Sequence, residues 1–179
     1  QALTRAKVPI VKFTDPRSGM HVDISINNTL AIHNTKLLSD YSKLDQRVRQ
    51  LAICVKHWAL HRNLCDAPNG TLSSYAWSIL VIFHLIREGV IVNLQSGEDR
   101  TVAEIEGKEY DITINDIEKY QSSSKATLAE LLYSFFKNFA AWNWADDIVS
   151  LREGKALTRD EKGWMNEEPS ALDVINSQK

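Results

Sequence analysis

The stretch Gly70-Thr-Leu-Ser-Ser-Tyr75 stands between two amphipathic segments, and its reading decides the architecture of the chain. Asn69-Gly70 is a break signal, and either Thr71 or Ser73 can cap a helix that starts immediately afterwards and ends near Glu88-Gly89. Upstream, Asp45 can cap a helix running to about Arg62, with Val48, Leu51, Ala52, Val55 and Ala59 as its apolar stripe. Earlier still the period changes. Val8–Phe13 and Met20–Ile26 are short, β-rich runs joined across Thr14–Gly19, where Asp15-Pro16 and Ser18-Gly19 predict a tight connection. In the second run His21, Asp23 and Ser25 alternate with Val22, Ile24 and Ile26, which puts Asp23 on a polar face. Downstream, Leu94–Tyr120 is a polar surface excursion with room for one hairpin. Thr127-Leu-Ala-Glu130 is a capping-box pattern that opens a helix through about Ala141. After Leu151 charge density rises and periodicity fades, as in a loop or loosely held tail. The pattern predicts an α+β chain in which strands end by about residue 28, helices fill 29–155, and 156–179 form a loop or tail.

Composition sets the outer bounds. The chain has 179 residues, enough for one domain or for most of one with part of a neighbour. Apolar residues make up 44% and charged residues 25%, an ordinary globular balance. A formal charge of −2 excludes wholesale coating by nucleic acid, so any RNA contact must come from local basic groups. Cys54 and Cys65 make no disulfide framework, and Cys54, inside a helical apolar stripe, is expected as a reduced, buried thiol. No apolar run reaches the length of a membrane span, and the sequence contains no signal-peptide pattern. An intracellular protein, cytoplasmic or mitochondrial, and a fragment of a longer chain are the expectations.

Several residues could carry chemistry, each beside a simpler explanation. Asp23 is an acidic residue on a strand, facing away from the apolar side, and a solvent-facing carboxylate would look the same. The Ser73-Ser74 pair opens a helix, where free N–H groups and the dipole favour anions, although N-capping alone would explain the serines. Lys56 lies mid-helix beside the apolar stripe, as a snorkelling lysine would. His33-Asn34-Thr35 reads as an ordinary helix start. His57, His61 and Cys65 repeat at four-residue spacings, but without a fourth ligand they make a poor zinc site.

Taken in order, Val-Asp-Ile-Ser-Ile-Asn-Asn at 22–28, His-Asn-Thr-Lys-Leu-Leu at 33–38, Val-Lys-His-Trp-Ala at 55–59 and Gly-Thr-Leu-Ser-Ser-Tyr at 70–75 resemble the second half of an RNA terminal uridylyltransferase, a group that shades into the non-canonical poly(A) polymerases. The likeness covers most of Val8–Leu85 and returns over Leu128–Gly154. It implies the end of a nucleotidyltransferase-type mixed β-sheet followed by a mainly α-helical domain, with UTP bound between the two. It also implies Mg2+ (or Mn2+), an RNA 3′ end as acceptor, and an upstream half carrying an Asp-x-Asp pair. No Asp-x-Asp occurs in this sequence. By the same resemblance Asp23 is the third metal-holding carboxylate and helps deprotonate the RNA 3′-hydroxyl. Asn34, with Thr35 beside it, meets the ribose hydroxyls; Lys56 and Ser74 meet the triphosphate; Tyr75 stacks on the base. The family's second triphosphate lysine falls at Leu60, and its Asp-Pro-Phe-Glu stretch, which helps read uracil, is not in this sequence. A poly(A) polymerase using ATP and a non-catalytic module binding RNA or protein are the alternatives.

Overall fold

A computed structural model of the chain describes residues 2–3, 9–105, 107–116 and 120–163. Contacts divide it into two units, residues 1–36 and 37–179. The division falls after Lys36 rather than after Asn28, because the helix that follows the strands spans the boundary.

The first unit is built on three antiparallel strands, β1 (Ala2–Leu3), β2 (Ile10–Thr14) and β3 (His21–Ser25), in that order across the sheet. Asp15 and Gly19 make the β2–β3 turn. The Asp15 carboxylate accepts from the Ser18 and Arg17 amides, and Gly19 takes a φ of +72°, which a side chain would resist. Register places Val11 opposite Ile24 and Phe13 opposite Val22 on one face, and Lys12 opposite Asp23 on the other. The apolar face is open: Val11, Phe13 and Ile24 are each about half exposed. Asn27, at a φ of +58°, turns the chain into α1 (Thr29–Leu44), whose first turn is capped by Asn28 through a 3.3 Å bond from the Ala31 amide. The helix therefore starts before His33, and His33-Asn34-Thr35 lies within it rather than at its start.

The second unit is a helical core with two small hairpins. α2 (Gln46–His61) is capped by Asp45, whose carboxylate accepts from the Arg47 amide at 2.8 Å. Arg47 holds that carboxylate below the usual range through its side chain, and also reaches the Ser124 and Ala126 carbonyls. A 3-10 turn (Ala67–Asn69) ends at Gly70 in the left-handed region, and α3 (Ser74–Arg87) follows. Ala76 and all of Ser78 to Leu85 are buried, so α3 is the central helix, wrapped on several sides. Against it pack Val48, Leu51 and Val55 of α2, and Leu131, Phe135 and Phe139 of α4 (Leu128–Ala140). Thr127 and Glu130 make both bonds of the capping box that opens α4.

The polar excursion does contain one hairpin, β4 (Val102–Ile105) with β5 (Lys108–Asp111). The region after Leu151 departs from expectation. β6 (Asp147–Ser150) and β7 (Lys155–Thr158) pair as a second hairpin, so regular structure continues past residue 155; residues 164–179 lie outside the described residues. Ile148, Val149, Ser150 and Leu151 are all buried. A strand covered on both faces shows no alternation, which hid it from a period-based reading.

Asn93 ties these parts together. Its amide donates to the Leu151 and Arg152 carbonyls at 2.8 and 3.0 Å, while its oxygen accepts from the buried Tyr41 hydroxyl at 3.0 Å and from the Gln95 amide at 2.9 Å. The Tyr41 hydroxyl also accepts from the Leu94 amide at 3.2 Å, and burial pushes its pKa up.

Candidate nucleotide-binding site

Asp23 sits at the centre of β3 because strand alternation sends Val22 and Ile24 to the opposite face. Its carboxylate is about half exposed and lies 3.3 Å from the Lys12 ammonium across the ladder. A hard oxygen donor of this kind suits Mg2+ or Mn2+. Among the described residues, however, no three His, Cys, Asp or Glu side chains gather as a metal-holding group. Asp23 can supply one ligand, so the described residues alone do not fit a two-ion centre. On α1 the Thr35 hydroxyl is exposed and donates to the Ala31 carbonyl at 2.7 Å, leaving its lone pairs outward. Asn34 beside it is half-buried.

In the second unit Lys56 is half-buried on α2 and makes no hydrogen bond or ion pair with the described residues. Leu60, one turn on, is 61% exposed and adds no charge. The two serines at the start of α3 divide their duties. Ser73 is the cap: its hydroxyl accepts from the Ala76 amide at 3.1 Å. Thr71 instead closes the preceding loop by accepting from the Asp66 amide at 2.7 Å. Ser74 is exposed, and its side chain makes no hydrogen bond among the described residues, so it is a free donor at the positive end of the helix. Tyr75 is half-buried and packs against the core edge. α2 and α3 are joined beside this end by Trp58 and Trp77, edge to face at 5.9 Å, and by the Trp77 indole donating to the Leu64 carbonyl at 2.8 Å.

Lys56, Ser74 and Tyr75 thus belong to one packed helical unit, while Asp23, Asn34 and Thr35 belong to the other. The His57 and His61 rings lie 4.2 Å apart, but the His61 Nδ1 is bonded to the His57 carbonyl, and Cys65 joins no three-ligand group with them. Cys54 is half-buried rather than fully buried, and both cysteines are free thiols. No helix among the described residues is long and apolar enough to cross a membrane. A polar cavity between the two hairpins had no signal in the sequence because its walls come from segments far apart in the chain.

Comparison with known proteins identifies the family to which these two units belong. Residues 1–43 match the family described as "Poly(A) RNA polymerase, mitochondrial-like, central palm domain", and residues 127–176 match the "Cid1 family poly A polymerase". Poly(A) RNA polymerase GLD2-B of Xenopus laevis is 41% identical over 90% of this chain and 33% of its own length. Poly(A) RNA polymerase cid11 of Schizosaccharomyces pombe is 36% identical over 98% of this chain and 35% of its own. Among solved structures, the Cid1 poly(U) polymerase superposes with a TM-score of 0.81 at 32% identity, covering 100% of this chain and 62% of that one. The chain belongs to the non-canonical poly(A) polymerase and terminal uridylyltransferase family of nucleotidyltransferases. It spans about a third of the length of the curated relatives it matches.

Proposed function

We propose that this chain forms the later part of an enzyme that adds nucleotides to RNA 3′ ends, with UTP as the donor. The observation that carries the reading is the start of α3, where Ser73 does the capping and leaves the Ser74 hydroxyl and the helix end for an anion. In the reaction the RNA 3′-hydroxyl oxygen bonds to the α-phosphorus of the triphosphate. The bond from that phosphorus to the bridging oxygen breaks, and pyrophosphate leaves with its electron pair. Asp23 accepts the hydroxyl proton, Ser74 and Lys56 hold the triphosphate, Asn34 and Thr35 meet the ribose, and Tyr75 offers its ring to the base. Mg2+ or Mn2+ would need further carboxylates, which we assign to an upstream half of the enzyme. The open apolar face of the β2–β3 ribbon supports such a half, because Val11, Phe13 and Ile24 lack cover among the described residues.

A second reading, ATP as the donor, is favoured by one observation: identity reaches 41% with a poly(A) polymerase and 33% with the poly(U) polymerase. Incubating the complete enzyme with a short RNA and each nucleotide separately decides between them. Preferential ATP incorporation overturns the choice of UTP. In the same assay Asp23→Ala should lower RNA tailing by several orders of magnitude, and unchanged tailing would remove Asp23 from the chemistry.

A further inference from the structure

Between the two hairpins lies a cavity of about 230 Å³ that none of the nucleotide contacts uses. Val102 on β4 and Leu157 on β7 line it with apolar surface, and Gln95 and Ser150 line it with polar groups. Gln95 is only 3% exposed, yet its side-chain amide makes no hydrogen bond among the described residues. Gln95 is not among the described residues whose fully buried polar atoms lack a partner, so its amide meets solvent through the cavity and is available to a ligand there. Ser150, 1% exposed, accepts from the Glu153 amide at 3.2 Å and keeps its own proton to give. Nearby, the Arg152 Nη1 lies 3.1 Å from the Asp111 carboxylate as an ion pair without hydrogen-bond geometry.

Charge is arranged unevenly around this space. Arg100 is exposed and makes no ion pair among the described residues. Lys162 also lines the cavity, and burial pushes its pKa down, with Glu153 opposing the shift and Arg100 adding to it. Glu109 and Glu153 are in the lining too, so the space offers acceptors as well as donors. The walls are fixed before any ligand arrives: Arg152 bonds the Gly97 carbonyl at 2.7 Å, Asn115 bonds the Ser96 carbonyl at 2.6 Å, and the Thr101 amide bonds Thr113 at 2.9 Å. At about 230 Å³ the cavity is smaller than the ~300–1,000 Å³ typical of pockets for drug-sized ligands, so it suits one planar ring rather than a nucleoside triphosphate.

We propose that this cavity takes one unstacked nucleotide of a single-stranded RNA, with the base between Val102 and Leu157, its edge on Gln95 and Ser150, and its phosphate at Arg100 and Lys162. Donors and acceptors on the same wall match a base edge, and Arg100 and Lys162 offset the lining carboxylates where the phosphate would sit. The proposal rests on the reading of the chain as part of an RNA-extending enzyme, but its test does not need catalysis.

The test is a titration of the full chain, labelled with ¹⁵N at glutamine side chains, by a short single-stranded oligonucleotide, by the nucleoside monophosphates and by inorganic phosphate. The Gln95 amide signals, assigned with Gln95→Met, should move with the oligonucleotide and the monophosphates and stay put with phosphate. The near-isosteric Gln95→Met should weaken oligonucleotide binding roughly two- to tenfold, the effect of one neutral hydrogen bond. Arg100→Ala, at an exposed position, should weaken it and flatten its salt dependence. Gln95 signals unmoved by RNA overturn the proposal, and so does an equal response to phosphate alone. Tailing by the complete enzyme, measured separately, reports on the enzymatic reading: tailing without cavity binding rejects this inference only, and cavity binding without tailing rejects that reading only.

Discussion

Exchanging Ser73 and Ser74 for alanine, one at a time, should separate folding from binding at two neighbouring positions of one helix. Ser73 holds the Ala76 amide at 3.1 Å, and losing such a cap costs about 1 kcal/mol of stability. For a chain of this size that lowers the melting temperature by about 2–4 °C. Affinity of the remaining folded protein for a nucleoside triphosphate should hardly change. Ser74 is exposed and bonded to nothing among the described residues, so its removal should shift stability by less than about 0.5 kcal/mol. If its hydroxyl meets a phosphate, affinity falls by the ~1.5–3 kcal/mol of a hydrogen bond to a charged group, roughly ten- to 150-fold. Thermal melts and equilibrium binding of UTP and ATP on the same preparations of the complete enzyme give both quantities. The reasoning is refuted if Ser74→Ala melts early and binds nucleotide normally, because Ser74 would then be a structural residue and the end of α3 no phosphate site.

Tyr75→Ala should weaken nucleotide binding by about 1–3 kcal/mol and by similar amounts for UTP and ATP, since a ring face carries little base identity; full affinity in a destabilised protein would remove Tyr75 from the site. Phe135→Ala should cost about 3–5 kcal/mol of folding stability in chemical denaturation, because this 1% exposed ring touches His84, Phe136 and Phe139. Stability should also decline as pH falls below about 6.5. His84 is 2% exposed; burial lowers its pKa, with Glu88 opposing, so below the unfolded value the unfolded chain takes up a proton that the folded chain refuses. Above that value both states are neutral and the contribution is complete. A denaturation series from pH 8 to pH 5 should show the decline, and His84→Gln should reduce it; an unchanged slope would remove His84 as its source.

Caps were the most legible features of the sequence. Asp45 and the Thr127–Glu130 box bond within their own first turns, so the residues that decide them are neighbours in the chain. Ser73 and Thr71 look alike in the sequence, since both hydroxyls accept an amide and only the Ser73 bond caps α3. The β6–β7 hairpin was hidden for a different reason. Tertiary cover on both faces of Ile148–Leu151 erased the alternation that marks a strand. The motifs that led to the family were legible because Asp23, Lys56 and Ser74 sit in short contiguous words. Gln95, Ser150 and Lys162 form no word at all, and only folding makes them neighbours.

The bonds converging on Asn93 bear on where this protein can be cut. One side chain links Tyr41, the amide of Gln95 and the carbonyls of Leu151 and Arg152, across spans of up to 59 residues. A shortened version that stops before Leu151 would strip the Asn93 amide of both acceptors and remove part of the cover over α3, although the helices themselves would be intact. Such a truncation should lose slow amide exchange at Leu94 and along the end of α1 together, because Asn93 and the Tyr41 hydroxyl bond the two segments to each other. A polypeptide that retains the second hairpin should keep that protection, which makes Thr158, rather than the end of α4, the earliest sensible C-terminus for dissecting the molecule.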